Sequence, residues 1–303
     1  MTIRQFDTQL LEVIQCPVTG EPLSLVSDGV ANSINSSIGK RTLRDCEGRL
    51  VKDRTDGLLV NSSSSIAYFI RQGVPLLQHH LAIEVGSGLK DGSPMMSPQS
   101  RGKMMGEIDF WHSLGFKEDY SHQSRYQNIL KGCFNLDGDF FTGKRVIDIG
   151  CGPMGSLNSL TSAKLRVGLD PLSEGYLQFL GDSTLMSYVC GVAENVPAKD
   201  GSFDAVISLN SLDHVDDLEP VVKEITRITS VGGHFILFTE IHREPTNCEP
   251  IPMDWDICKK FSGFREVYRI ESEKEPNMRI LPFDHSNHEE RYGFLFSILQ
   301  RLT

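Results

Sequence analysis

The residues with the strongest chemical signature in this sequence are three glycines, Gly150, Gly152 and Gly155, directly behind the β-branched run Val146, Ile147 and Ile149. The order reads as a buried strand, a tight turn and a helix start. Glycine is needed in such a corner because a side chain would keep a ligand from the backbone, and the N–H groups that open the next helix are unpaired donors. An acid follows at the distance such a site requires: Asp170 closes the short strand "LRVGLD" and is placed to accept hydrogen bonds from ribose hydroxyls. Two histidines complete the set. The strand "DAVISLN" delivers Asn210, Ser211, Asp213 and His214 to the rim, and "FILFTE" delivers Glu240, Ile241 and His242. Histidine is the side chain whose ordinary pKa lies near neutrality, so His214 and His242 are the catalytic candidates. Bracing of the turn is the alternative role for His214, and a surface position that for His242.

These residues need an alternating frame to hold them. Strands are predicted at 145–149, 165–169, about 186–191, 203–209, 234–240, 264–271 and 291–302, with a helix capped by Asp216 or Asp217 and faced by Val221, Val222, Ile225 and Ile228. Strands alternating with helices imply an α/β fold, a mostly parallel Rossmann-like sheet of seven strands with helices on both faces. Ligands in such sheets bind beyond the carboxyl ends of the strands.

The stretches "DIGCG", "AENVPAKDGSFDAVIS" and "GGHFIL", with the acid after the second strand, occur in an order that resembles the class I S-adenosylmethionine-dependent methyltransferases. The resemblance covers about residues 104 to 303. It implies S-adenosyl-L-methionine as cofactor, with Asp148, Gly150, Cys151 and Gly152 at its amino-acid end, Asp170 at the ribose, Ala193 and Glu194 near the adenine, and Asn210 on the same wall. It departs from the family at Val192, where an acid is common. It also implies that the helices before the glycine strand cover the methyl-donor pocket. Residues 107–136 are aromatic, with two helices predicted to join near Gly115, and Tyr120, Tyr126 and Phe134 are the candidates for contact with the sulfonium or the substrate, since ring faces attract cations by roughly 0.5 to 2 kcal/mol.

Residues 1–85 read as a small α+β unit of their own: a short helix at "FDTQLLEVIQ", a strand near Leu23, a polar middle read as an irregular loop with a hairpin as the alternative, and a strand at "SIAYFIR". The unit resembles zinc-ribbon-like partner domains of methyltransferases, but Thr19 stands where a second cysteine belongs and Asn61 roughly where a later one falls. No metal is therefore expected, and the unit is read as a packing or dimerisation module, with a homodimer through it as one outcome. Residues 86–106, rich in Gly, Ser and Pro, read as a linker, and 107–303 as the catalytic domain.

Composition limits the substrate. A net charge of −10 over 303 residues, with 30 basic residues in no long run, disfavours nucleic acid. No "NPPY" or "DPPY" box is present, so the expected acceptor is a small molecule drawn from specialised metabolism. Seven scattered cysteines without a CxxC pair and the lack of a long apolar run point to a cytoplasmic protein without a membrane span. Two other uses of the cofactor fit the same residues: a cyclase or lyase that releases methylthioadenosine, and a non-catalytic binding subunit.

Overall fold

The computed structural model describes residues 4–46, 48–84, 98–113, 128–176, 185–274, 279–284 and 292–303. Its centre is a seven-stranded sheet of β6 (Arg145–Ile149), β7 (Leu165–Leu169), β8 (Ser187–Val189), β9 (Phe203–Leu209), β10 (Thr229–Ile241), β11 (Phe264–Glu273) and β12 (Gly293–Arg301). The order across the sheet is β11-β12-β10-β9-β6-β7-β8. Strands β8, β7, β6, β9 and β10 are parallel, while β12 runs antiparallel between β10 and β11. The direction of winding reverses between β6 and β9, and that switch point is where a crevice opens at the carboxyl ends.

Both faces of the sheet are covered, so the central strands are continuous apolar runs rather than alternating ones. Ile147, Ile149, Val167, Leu169 and Val206 face one core, together with Val221, Ile225 and Ile228 of the helix α3 (Leu218–Ile228). Val146, Ala205, Ile207, Ile236 and Phe238 face the other, where Ile129, Leu130 and Cys133 of a π-helical turn pack. Asp217 caps α3 by accepting a hydrogen bond from the Glu219 N–H at 3.0 Å. Strand β10 begins five residues earlier than its sequence suggests, at Thr229, with an irregularity before His234 that absorbs Gly232 and Gly233.

The N-terminal unit is a second sheet of β1 (Leu23–Leu25), β2 (Gly57–Asn61), β3 (Ile66–Arg71), β4 (Val74–Pro75) and β5 (Ile83–Glu84). Its middle is a correction to the sequence reading: Asp28–Gly39, expected to be irregular, forms helix α1, which buries Ala31 and Ile38. Ser and Asn dominate this helix, and such residues compete with the backbone for hydrogen bonds and mask helical character in a sequence. Where the resemblance places a metal ligand, the Asn61 amide nitrogen lies 2.6 Å from Glu21 Oε2 and 2.9 Å from Ser63 Oγ, while its oxygen accepts from the Ser65 and Ile66 N–H groups. Cys16 Sγ lies 3.2 Å from the Tyr68 hydroxyl.

The two units share one core. Leu10, Val13, Leu59 and Tyr68 pack in the same cluster as Val189, Val196 and Ala198. Backbone bonds close the edge of the large sheet: Cys190 N–H donates to Pro75 O at 3.0 Å, Leu77 N–H to Cys190 O at 2.7 Å and Lys199 N–H to Val13 O at 2.8 Å. An open strand edge is a template for unwanted pairing, and here the chain covers its own edge at β8. The expected linker is helical in its last part, because α2 runs Pro98–Ser113. The predicted helix junction near Gly115 lies outside the described residues.

Candidate functional site

The glycine corner is held from three sides. Gly150 has φ +72°, and a Cβ there would overlap Ser211. Ser211 is fixed in turn, its hydroxyl donating to Ile149 O at 2.6 Å. Gly152 N–H donates to Asp170 Oδ2 at 2.9 Å, and Leu172 N–H to Asp170 Oδ1 at 2.9 Å. Each carboxylate oxygen keeps a second lone pair for a ligand hydroxyl. Asp148 lies under the turn, 1% exposed, with Oδ2 accepting from the Ser156 hydroxyl. Among the described residues its Oδ1 has no partner.

Burial acts on both acids. It pushes the Asp148 carboxyl up to about 7, with the Ser156 hydroxyl pulling it back and Asp170 adding to the rise. Asp170 is pushed up to about 6, against the Leu172 and Gly152 N–H groups that favour its charged form. Two neighbouring carboxylates without a cation are costly, so the pocket favours a ligand that brings positive charge to Asp148. Burial also drives the Cys151 thiol well above its ordinary value, which makes Cys151 a packing residue of the turn.

Helix α2 lies across the mouth. Lys103 Nζ donates to His214 O at 2.7 Å and pairs with Asp216, and a Cβ at Gly175 would meet Ile108 at 3.0 Å. Trp111 lies over the turn, with a ring atom 3.3 Å from where a Gly152 Cβ would stand, and meets Tyr176 edge-on at 6.4 Å. Tyr188 also stands at the corner, its hydroxyl accepting from the Gly155 N–H at 3.0 Å, and none of these three aromatics is marked by local sequence spacing. Phe134 is 2% exposed in the core, against Phe296 at 5.6 Å and Tyr268 at 6.2 Å. Tyr120 and Tyr126 lie outside the described residues.

The loops beyond β8, β9 and β10 are tied together. Asn210, with φ +58°, donates its N–H to Phe238 O at 2.7 Å, and its side-chain oxygen accepts from Glu240 N–H at 2.9 Å. Glu194, beside Ala193, accepts from Asp216 N–H at 2.7 Å. Behind this wall Asp213 is fully buried between two histidines: His214 Nε2 is 3.8 Å from Oδ1 and His242 Nε2 is 3.5 Å from Oδ2. His242 is 5% exposed, which corrects the surface position considered for it. Its Nδ1 lies 3.1 Å from Glu244 O, and His214 Nδ1 lies 4.0 Å from Glu107 Oε2 on α2. Glu249, which no sequence signal marked, joins Asp213 and His214, the three offering ligand atoms within 4.8 Å of one another. It arrives on a return segment in which Ile251 N–H donates to Asp213 O and Met253 pairs with His242.

Residues 147–237 match the family described as a methyltransferase domain. The chain carries a class I S-adenosylmethionine-dependent methyltransferase domain, with S-adenosyl-L-methionine as the cofactor of that class. Among proteins of known activity it is similar to the chloroplastic tocopherol O-methyltransferase of Arabidopsis thaliana, at 31% identity over 39% of this chain and 38% of that protein. It is also similar to ajmaline N-methyltransferase of Rauvolfia serpentina, at 26% identity over 40% of this chain and 45% of that protein. A third relative is the ubiquinone biosynthesis O-methyltransferase of Pectobacterium carotovorum, at 25% identity over 51% of this chain and 66% of that protein. The chain thus matches less than two thirds of the length of each of these relatives. The residues present fit the cofactor: the corner has no side chain where a Cβ would intrude, and Asp148 Oδ1 is a buried acceptor lacking a donor. No helix among the described residues is long and apolar enough to cross a membrane.

Proposed function

We propose that the protein transfers a methyl group from S-adenosyl-L-methionine to a small-molecule acceptor. The observation that carries the reading is the glycine corner, with Asp148 and Asp170 buried side by side and one oxygen of Asp148 without a donor. When bound, S-adenosyl-L-methionine supplies an activated methyl group whose transfer to the acceptor breaks the carbon–sulfur bond and leaves S-adenosylhomocysteine. Asp148 takes up the positive amino-acid end, and Asp170 accepts from ribose hydroxyls through the lone pairs that Gly152 and Leu172 leave open. Helix α2, with Trp111 over the turn, excludes water from the corner and restricts how an acceptor approaches.

The acceptor side is formed by Asp213, His214, His242 and Glu249, at the ends of β9 and β10. A histidine there can remove a proton from a hydroxyl or amine acceptor. Tocopherol, ajmaline and ubiquinone precursors, the compounds after which the relatives are named, are small molecules. The net charge of −10 also favours a small acceptor over nucleic acid. Calorimetry tests the first step: S-adenosyl-L-methionine binds saturably to the wild type, and Asp170→Ala weakens it by roughly 100-fold, the loss of about 2 to 3 kcal/mol expected from a charge-assisted contact. Unchanged affinity in that variant would remove the ribose assignment.

A further inference from the structure

We infer that Asp213, His214, His242 and Glu249 form a binding site for one divalent transition-metal ion, which holds the acceptor through an oxygen. The first observation is the cluster itself: Asp213, His214 and Glu249 offer ligand atoms within 4.8 Å of one another, and His242 Nε2 stands 3.5 Å from Asp213 Oδ2. The second is independent of it. Asp213 is fully buried, yet neither of its carboxylate oxygens has a hydrogen-bond partner among the described residues, and His242 Nε2, equally buried, has none either. A buried carboxylate without a hydrogen bond to either oxygen is expensive, and a cation shared with the two imidazoles beside it would offset that cost.

The tautomer of His242 points the same way. Its Nδ1 faces a carbonyl, Glu244 O at 3.1 Å, which can only accept, so Nδ1 carries the proton. In the neutral ring Nε2 is then a lone pair, and it faces Asp213 Oδ2 across 3.5 Å. That lone pair and the Asp213 oxygen can bind one cation between them. His214 is arranged alike, with Nε2 toward Asp213 and Nδ1 toward the Glu107 carboxylate. An oxygen on the remote ring nitrogen is the usual support for a metal-bound histidine. Ligand atoms about 2.1 Å from a common ion stand roughly 3 to 4 Å apart. The 3.5 and 3.8 Å separations from Asp213 meet that range pair by pair; the Asp213, His214 and Glu249 atoms lie within 4.8 Å of one another, and His242 reaches the ion through the Asp213 oxygen it faces.

Mixed imidazole and carboxylate donors suit manganese, iron, cobalt or zinc in the divalent state. His214 and Glu249 are half-buried, so the side of the site they form is open to an incoming group. A hydroxyl bound there would lose its proton to water, the O–H electron pair staying on oxygen, because the ion stabilises the anion. The inference deepens the proposed function by naming a hydroxyl-bearing acceptor, activated by the ion in place of a histidine base, and it rests on that reading only for this last step.

The test is direct binding without cofactor or acceptor, so its failure is distinct from failure of the methyltransferase reading. Full-length protein stripped with a chelator is titrated calorimetrically with Mn²⁺ and, separately, with Co²⁺, whose visible bands report its ligands. One ion per chain is expected, with Asp213→Asn and His242→Gln each weakening it by roughly 100-fold or more. Glu249→Gln, on the half-buried side, replaces Asp213→Asn if the latter does not fold, as judged by circular dichroism. Absence of saturable binding for both ions, or one-ion binding undiminished in folded variants, would overturn the inference.

Discussion

At the scale of single residues, Gly150 and Asp148 make the sharpest demands. Gly150 combines a left-handed φ with a Cβ position that overlaps Ser211, so Gly150→Ala meets backbone strain and a steric clash together. The variant is expected to lose roughly 1 to 3 kcal/mol of stability, read by urea unfolding, and to bind the cofactor far more weakly. Asp148 gives a pH signature. Its carboxyl rises from an ordinary 3.8 to about 7 in the folded protein, so between those values the folded state holds the proton that the unfolded chain has released. Stability of the cofactor-free protein therefore falls as pH rises from about 4 to about 7, Asp170 contributing in the lower part of that window. Asp148→Asn should flatten the fall. An equal slope in variant and wild type would show that Asp148 is not the group responsible. The glycines and Asp170 were legible in the sequence because their function depends on chain-local spacing. Trp111 over Gly152, and the approach of Glu249 and His242 to Asp213, depend on how distant segments pack, which no local spacing encodes.

At the scale of elements, three short apolar strands bounded by turn residues were readable to the residue, namely β6, β7 and β9. Helix α1 was not, because its apolar positions are few and lie among Ser and Asn. The first half of α2, residues 98–106, was hidden likewise by the Gly, Ser and Pro composition of the expected linker, while 107–113 falls in the helix predicted before Gly115. The joint between the units has a measurable consequence. Leu10 is fully buried in the core that both units share, so Leu10→Ala should cost about 2 to 5 kcal/mol. Chemical unfolding followed separately by signals from each unit should show one common transition moved to lower denaturant. Two separated transitions would mean that the shared core does not couple the units. Removing residues 1–84 altogether should expose the β8 edge together with Val189, Val196 and Ala198, and give a chain that aggregates.

At the scale of the whole molecule, a small unit closes one edge of a mostly parallel sheet while α2 covers its carboxyl ends, so the crevice at the switch point is bounded on two sides by chain outside the sheet. That architecture suits an acceptor small enough to enter between α2 and the loops after β9 and β10. The most direct measurement incubates the protein with S-adenosyl-L-methionine, first alone and then with fractionated small-molecule extract, and follows the nucleoside product by chromatography. S-adenosylhomocysteine should form only when extract is present, and Asp170→Ala should abolish it. Methylthioadenosine above the spontaneous background without any acceptor would contradict methyl transfer.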